Sequence, residues 1–551
     1  MKRTVLLAGL LILSSQLIFT QSGKHRKPLS KETVYITVED SIELGTDLYI
    51  PEGKGPFPTI LVRMPYNING IGAFGEKIVT GFLENGWAAV LQDTRGKFTS
   101  GGEYHPFRHE RPDGLATVEW IRNQPWCNGK IAGWGGSYVG YTQWAIADQL
   151  DVITPTVTSA NMYEMVYPNG ILSLATVLNW GLGNGARTYN AVDPQKLEES
   201  YYTLPLSVAD DSAVKQIDFI DAWLAHPYED GYWGAMNHRA AITCPVLTIA
   251  GWYDIFLMAQ IRDFEIMEPY RHPGSRLMIG PYAHGTITIE TDFGKDGDLN
   301  ALEGDLVNDF IKKHLEEEAP AAVRSAVADK PYSFFIMHRN EWVDCDQWPP
   351  KESKSTPWYL NADGSLDAAH NKTEKVIEYS YDPTDPYPSF GGTFLGAGVG
   401  PAYQNPNIER TDQVVFESEV LEDPLVLLGP IDATIYASTD APQTDLFVSL
   451  QEVRADGKII NIQEGGTSLC ADERAPWPRR LDISVWATGY QVEAGHKLRV
   501  VISSSLFPRF NRNLNSGEEI FNAQHPRTAH QKIYLGERYP AHISLPVMNP
   551  N

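Results

Sequence analysis

Hydrophobic positions fall into two regimes along this chain. In the first, short continuous apolar runs alternate with segments of helical spacing. Residues 59–62 and 88–92 are compact runs bounded by prolines, glycines and charges, the pattern of strands covered on both faces. Residues 131–134, 152–158, 246–250 and 276–279 repeat it. Between them, 114–123 (Leu115, Val118, Ile121), 138–150 and 305–318 (Leu306, Phe310, Ile311, Leu315) space their apolar residues as helices do. Ahead of these, VYITV and ELGTDLYIP flank Glu39-Asp40-Ser41 and predict an opening β-hairpin over 33–48. Strands separated by helices predict an α/β domain with a largely parallel sheet.

That rhythm breaks twice. Over 161–239 buried-strand runs vanish, and aromatic and apolar residues (Met162, Tyr167, Leu172, Leu174, Trp180, Trp223, Trp233) recur at helical intervals, which predicts an inserted helical cap. Trp348-Pro349-Pro350 and residues 351–356 then read as a linker. Beyond it, short alternating strands dominate, with Asp363-Gly364 and Asp456-Gly457 turns. Leu446, Val448 and Leu450 share one face, as do Leu498, Val500 and Ile502. The expected order is an α/β-hydrolase-type domain over 28–160 and 240–346, a cap over 161–239, and an all-β jelly-roll sandwich over 357–551. A chain of 551 residues is too long for one core, which fits this division.

Charge and cysteine usage narrow the partners. Net charge is −24, from 45 basic against 69 acidic residues, and no cluster of four or more Lys or Arg appears after the N-terminus, so nucleic acid and anionic membranes are poor partners. Lys2 and Arg3 precede an apolar run over 5–13 that fades by Phe19, which predicts a signal peptide over 1–22 and a periplasmic or secreted protein without a membrane anchor. Cys127, Cys244, Cys345 and Cys470 lack metal-type spacing and are expected as four separate buried thiols, although three disulfide pairings remain open. No metal or cofactor is expected, and the oligomeric state is left open.

The candidate chemistry centres on residues 130–143, KIAGWGGSYVGYTQ. A short apolar run stops at Gly135-Gly136, then Ser137 opens a helical segment: a strand, a sharp turn and a helix with a serine at the apex. Side chains at either glycine would meet the neighbouring strand or helix. A serine hydroxyl needs a base, and the base needs a carboxylate to hold its tautomer. Asp254 follows the run 246–250, and His284 follows 276–279, both where an open α/β sheet gathers its functional loops. The order Ser137, Asp254, His284 is that of α/β-hydrolases.

Gly135-Gly136-Ser137-Tyr138-Val139-Gly140 departs from G-x-S-x-G, because Val139 takes the place of the second glycine. It resembles instead the G-x-S-Y-x-G of the cocaine-esterase/X-Pro dipeptidyl-peptidase group of α/β-hydrolases. The resemblance extends over residues 63–66, 93–96, 251–254, 280–284, 381–386 and 504–509, nearly the whole chain past the signal segment. It implies a hydrolase domain, an inserted cap and a jelly-roll. It also implies an oxyanion hole formed by the Tyr66 hydroxyl and the Tyr138 amide. Relatives in the group include α-amino-acid ester hydrolases and glutaryl-7-ACA acylases. The former look to hold the substrate ammonium with carboxylates just after the catalytic aspartate, whereas here Asp254 precedes Ile255, Phe256, Leu257 and Met258. Tyr282 is a smaller departure, at a place where the group more often has tryptophan.

The expected function is a serine hydrolase that cleaves carboxylic esters of small acyl substrates through an acyl-serine. Trp252, Phe256 and Trp180 are the candidate pocket residues. The cap carboxylates Glu164, Asp193, Glu198 and Asp210 are possible charges facing the site. The alternatives are an amidase of the same group (a β-lactam acylase or X-Pro dipeptidyl-peptidase) and, from another class, a secreted glycan-binding protein on an inactive hydrolase scaffold.

Overall fold

Strands β1 (Glu32–Thr37) and β2 (Glu43–Tyr49) form the expected opening hairpin, with Val34 opposite Thr46. This computed structural model describes residues 29–548, apart from 71, 269–270, 288, 290–292, 317–329 and 471–476. The candidate signal segment therefore lies outside the described residues.

The apolar runs become β3 (Phe57–Met64), β4 (Ala88–Asp93), β5 (Cys127–Gly136), β6 (Val152–Thr156), β7 (Leu247–Tyr253) and β8 (Arg276–Ala283). After β8 the short β9 (Gly285–Ile287) leaves the sheet, which β10 (Tyr332–Ile336) and β11 (Glu341–Cys345) complete. The ten strands lie in the order β1-β2-β4-β3-β5-β6-β7-β8-β10-β11. Neighbours from β4 to β10 run parallel. Val79 and Phe82 of α1 (Gly72–Glu84), with Phe310 and Ile311 of the helix Leu299–Leu315, cover one face. Val118 and Ile121 of α2 (Glu110–Arg122), with Leu257, Ile261 and Phe264 of the helix Leu257–Ile266, cover the other. Burial on both faces explains why these strands are apolar throughout.

Two expectations change, and one helix is new. The nucleophile helix, expected to reach residue 150, is α3 (Tyr138–Trp144), followed by a separate 3-10 turn, Ala147–Gln149. Helix α1 had no expectation, because Gly72, Gly75 and Gly81 dilute its apolar spacing. The expected linker at 351–356 is largely strand: β12 (Ser353–Leu360) begins inside it, pairing Ser353 with Met548 near the far end of the described chain. Pairing at that sequence separation leaves no local trace.

Between β6 and β7 the insertion holds the helices Tyr163–Val166, Leu174–Asn184, Pro194–Tyr202, Ala209–Ala213, Asp218–Ala225 and Gly231–Gly234. Trp180, Trp223 and Trp233 are buried within it.

The second domain continues with β13 (Leu366–Asp367), β14 (Lys375–Tyr381), β15 (Gly396–Val399), β16 (Gln413–Glu417), β17 (Leu425–Thr439) and β18 (Gln443–Val453). β19 (Ile459–Cys470), β20 (Arg479–Val492), β21 (Lys497–Ser503), β22 (Ala529–Leu535) and β23 (His542–Met548) follow. One antiparallel sheet runs β13-β12-β23-β17-β22-β14, with β20 also on β17, and the other runs β16-β21-β18-β19. Leu446, Val448, Leu450, Leu498, Val500 and Ile502 fill the space between them. β18 is also buried on its other face, where Phe447 packs with Ile171, Leu506 and Phe510, so its alternation hides a strand covered twice. All four cysteines are free, as expected, but Cys470 at the end of β19 is exposed, not buried like the other three.

Candidate active site

The backbone itself singles out Ser137. β5 ends at Gly136, and Ser137 turns into α3 with φ 56° and ψ −128°, a left-handed conformation that costs a non-glycine residue about 1–3 kcal/mol. The surroundings hold it there: its N–H donates to Thr156 O on β6 at 2.9 Å, and Gly140 and Tyr141 N–H donate back to its carbonyl. Gly135 has φ 120°, and a Cβ there would stand 2.6 Å from Val139 Cγ1 of the helix. At Gly136 a Cβ would stand 3.0 Å from Thr156 O of the neighbouring strand. Both glycines keep the turn tight enough to lift the serine out of the backbone.

β7 and β8 deliver the other two groups. His284 follows β8 directly, and its Nε2 lies 3.0 Å from Ser137 Oγ. Its Nδ1 lies 2.7 Å from Asp254 Oδ2. Asp254 is fully buried, and its Oδ1 accepts the Phe256 N–H at 2.8 Å, so the loop after β7 fixes the carboxylate. Nδ1–H donation to that carboxylate leaves Nε2 as the acceptor facing the serine. The side chains thus form one relay, Asp254 to His284 to Ser137. The segment after His284 is held from the second domain, since β9 pairs in parallel with β15, Gly285 opposite Gly396.

The two expected oxyanion donors stand beside the serine. Tyr138 is the first residue of α3, where N–H groups have no acceptor within the helix. Its side chain turns away: the hydroxyl donates to Glu110 Oε1 at 2.7 Å and accepts the Phe107 N–H at 2.9 Å. Arg63 pairs with Glu110 at 3.0 Å beneath it, both buried. Burial pushes the Glu110 carboxyl up, and Arg63 opposes that shift. Tyr66 follows β3; its hydroxyl accepts the Trp180 indole N–H at 3.3 Å, and the residue lines the same cleft as Ser137. Enclosure raises the Tyr66 hydroxyl well above its ordinary value, so it keeps its proton as a neutral donor.

An apolar cleft with about 410 Å³ of free space, its mouth included, opens onto Ser137 and His284. Phe107, Tyr138, Trp180 and Trp223 line it in near-parallel planes, with ring centroids 4.5 Å apart for Phe107 and Tyr138 and 6.0 Å for Trp180 and Trp223. Met162, Met165, Ile255 and Phe256 close it, and Leu395 enters from the second domain. Phe256 and Trp180 are therefore on the wall, as expected. Trp252 is not: it is fully buried, donates its indole N–H to Phe335 O at 2.7 Å, and packs in the core shared by the two domains. Trp252 lies within β7 and packs into the core that the sheet shares with the β-sandwich, whereas Asp254 and Phe256 stand beyond the strand's end. Leu257 and Met258 likewise face the core, leaving Ile255 and Phe256 as the wall.

None of the cap carboxylates lines this cleft. Glu164 pairs with Arg239 at 2.6 Å and Arg262 at 3.1 Å. Asp193 caps the helix Pro194–Tyr202, Asp210 accepts the Ile217 N–H, and Glu198 lines a separate outer groove. Phe107, Met162, Met165, Trp223 and Leu395 were not anticipated as site residues. Nothing in their local sequence marks them, because they converge from three parts of the chain. Among the described residues, no three His, Cys, Asp or Glu side chains gather as a metal-ligand set, and no helix is long and apolar enough to cross a membrane.

Two family models match the chain. Residues 40–286 match the X-Pro dipeptidyl-peptidase (S15 family), and residues 321–544 match the X-Pro dipeptidyl-peptidase C-terminal non-catalytic domain. The chain is 31% identical over 568 residues to a cocaine esterase from Rhodococcus sp. (strain MB1 Bresler), covering 94% of this chain and 98% of that protein. An aminopeptidase from the marine sediment archaeon Thaumarchaeota archaeon superposes with a TM-score of 0.81 at 20% identity, over 97% of this chain and 99% of that one. A selenomethionine-labelled α-amino acid ester hydrolase gives 0.78 at 22% identity, over 97% and 100%. The two solved structures share the architecture of hydrolase sheet, cap and β-sandwich.

Proposed function

We propose that this chain, which belongs to the X-Pro dipeptidyl-peptidase (S15) family, is a serine hydrolase that cleaves carboxylic esters of uncharged, preferably aryl, acyl groups. The observation that carries the proposal is the Ser137–His284–Asp254 relay, at 3.0 and 2.7 Å, opening onto an apolar cleft that no carboxylate lines among the described residues.

His284 Nε2 takes the Ser137 proton as Oγ bonds to the ester carbonyl carbon, and Asp254 stabilises the imidazolium that results. The carbonyl oxygen becomes an oxyanion, met by the Tyr66 O–H and the Tyr138 N–H. The C–O bond to the alcohol then breaks as His284 returns the proton to the departing oxygen, leaving an acyl-serine. Water, deprotonated by the same imidazole, attacks that carbonyl, and Ser137 departs with its proton restored. The Ser137 strain and the buried Asp254 hold these groups ready before substrate arrives, so little reorganisation is needed during the reaction.

The cleft also bears on substrate class. A buried ammonium without a partner costs several kcal/mol. Glu164, Asp193 and Asp210 are engaged elsewhere and Glu198 lines a separate groove, which supports esters without a free α-amino group over aminoacyl esters and X-Pro amides. The basic N-terminus and the apolar run over 5–13 support export to the periplasm or medium as part of the same proposal.

The test is labelling with a fluorophosphonate probe, followed by a screen of aryl esters against aminoacyl and X-Pro anilides. Labelling confined to Ser137 with turnover of the aryl esters is expected. Labelling elsewhere, or turnover confined to X-Pro anilides, would overturn the proposal in favour of the peptidase alternative.

A further inference from the structure

We propose that Trp180 is a positioning residue of the oxyanion hole: its indole N–H occupies one side of the Tyr66 hydroxyl and thereby turns that hydroxyl's single proton toward Ser137. This inference rests on the serine-hydrolase reading above and concerns what aims one of its donors.

A tyrosine hydroxyl carries one proton, and conjugation with the ring favours its lying in the ring plane, on one side or the other. On one side of Tyr66 stands Trp180 Nε1, which donates to the hydroxyl oxygen at 3.3 Å. An indole nitrogen is a donor only, so a Tyr66 proton turned that way would face another hydrogen and no acceptor. The remaining direction is left for the cleft that Tyr66 and Ser137 line together, where the oxyanion forms. Trp180 thus supplies no contact to the oxyanion itself and still decides whether Tyr66 can make one.

The indole is well fixed for this role. It stacks on Trp223 at 6.0 Å and 10° and on Phe107 at 5.7 Å and 19°, so it cannot swing without displacing two other rings. Tyr66 is held from the cap as well, since the Tyr189 hydroxyl donates to its main-chain carbonyl at 2.9 Å. The helix bearing Trp180 is itself pinned at its end: buried Lys97, from the loop after β4, donates to Asn184 O at 3.0 Å and Ala186 O at 2.6 Å. The aim of a donor that belongs to the sheet domain is therefore set by how the cap docks.

The experiment measures kcat and KM on one uncharged aryl ester for wild type, Trp180→Phe, Tyr66→Phe and the double variant, with Ser137→Ala alongside. Phenylalanine keeps a flat ring on the wall and removes the N–H. Trp180→Phe is expected to lower kcat about tenfold with KM within about twofold, and to change kcat less than about twofold once Tyr66 is already phenylalanine. Independent, multiplying effects of the two changes, or a raised KM at unchanged kcat, would overturn the inference and leave Trp180 as a wall. If Trp180→Phe lowers the melting temperature sharply, 3-benzothienylalanine at position 180, which keeps the bicyclic shape without the N–H, takes its place with the same expected outcome. Ser137→Ala separates the two levels: if it retains wild-type turnover the hydrolase reading falls and this inference with it, whereas an inactive Ser137→Ala beside multiplying effects removes this inference alone.

Discussion

Ser137, Asp254 and His284 all hang from the ends of parallel strands in one mixed sheet, while the cleft facing them is assembled from the sheet domain, the cap and a loop of the β-sandwich. The first region has its geometry fixed by backbone: a strained turn, a buried carboxylate and two short hydrogen-bonded links. The second is fixed by packing among rings from distant segments, with Leu395 held where the β-sandwich meets the cap, as its carbonyl accepts from Asn179 at 2.5 Å. The reacting groups thus stand on the sheet scaffold, and the cleft wall on segments that meet only in the folded chain. The two tyrosines of the oxyanion hole sit on the seam, one steadied by buried Glu110 and Arg63, the other by the cap.

Changes to the relay should be far costlier than changes to the cleft. Ser137→Ala is expected to lower kcat about 10⁶-fold with KM little altered, and Asp254→Asn about 10⁴-fold. Steady-state kinetics on an aryl ester check both, and activity within tenfold of wild type would remove Ser137 as nucleophile. On the seam, Tyr66→Phe should reduce kcat about 10²–10³-fold. A raised KM with constant kcat would move Tyr66 into the cleft wall.

The cleft itself is probed by substrate before mutation. A phenylacetyl-type ester should be turned over with at least about tenfold higher kcat/KM than its α-amino analogue at neutral pH, a difference of about 1.4 kcal/mol. The opposite preference would mean that a carboxylate reaches the cleft after all. Leu395→Ala should raise KM for the same ester about fivefold and leave kcat within about twofold, since it removes buried apolar surface from substrate and not from the reacting atoms.

The smallest effect on activity is expected far from both regions. Asp445 is buried in the β-sandwich with no cation paired to it among the described residues, accepting from Ser468 at 2.7 Å and Asn513 at 3.2 Å, and burial raises its carboxyl from 3.8 to about 6. A raised folded-state value means that its stabilising contribution is complete below about pH 4 and is lost as pH rises through about 6. Asp445→Asn keeps an acceptor for both donors, so it should melt higher than wild type at pH 8, with the difference shrinking toward pH 4 and kcat unchanged. Thermal melts across that range check the sign.

The sharp turn at Ser137 was legible because its cause is local. Gly135 and Gly136 are required by contacts within a few residues and one neighbouring strand, and the strand-end positions of Asp254 and His284 follow from apolar runs that directly precede them. The cap and sandwich were legible as classes for the same reason, since periodicity is a local property. By itself the sequence therefore determined the architecture, the relay and its order along the chain. Tertiary structure alone decided what depends on distant segments meeting: that β12 zips to β23, that Trp252 turns into the shared core while Phe256 faces the cleft, that Glu164 is taken up by Arg239, and that Leu395 reaches the cleft. Side-chain direction at a strand end and pairing across hundreds of residues are set by global packing, which leaves no periodic mark on either partner.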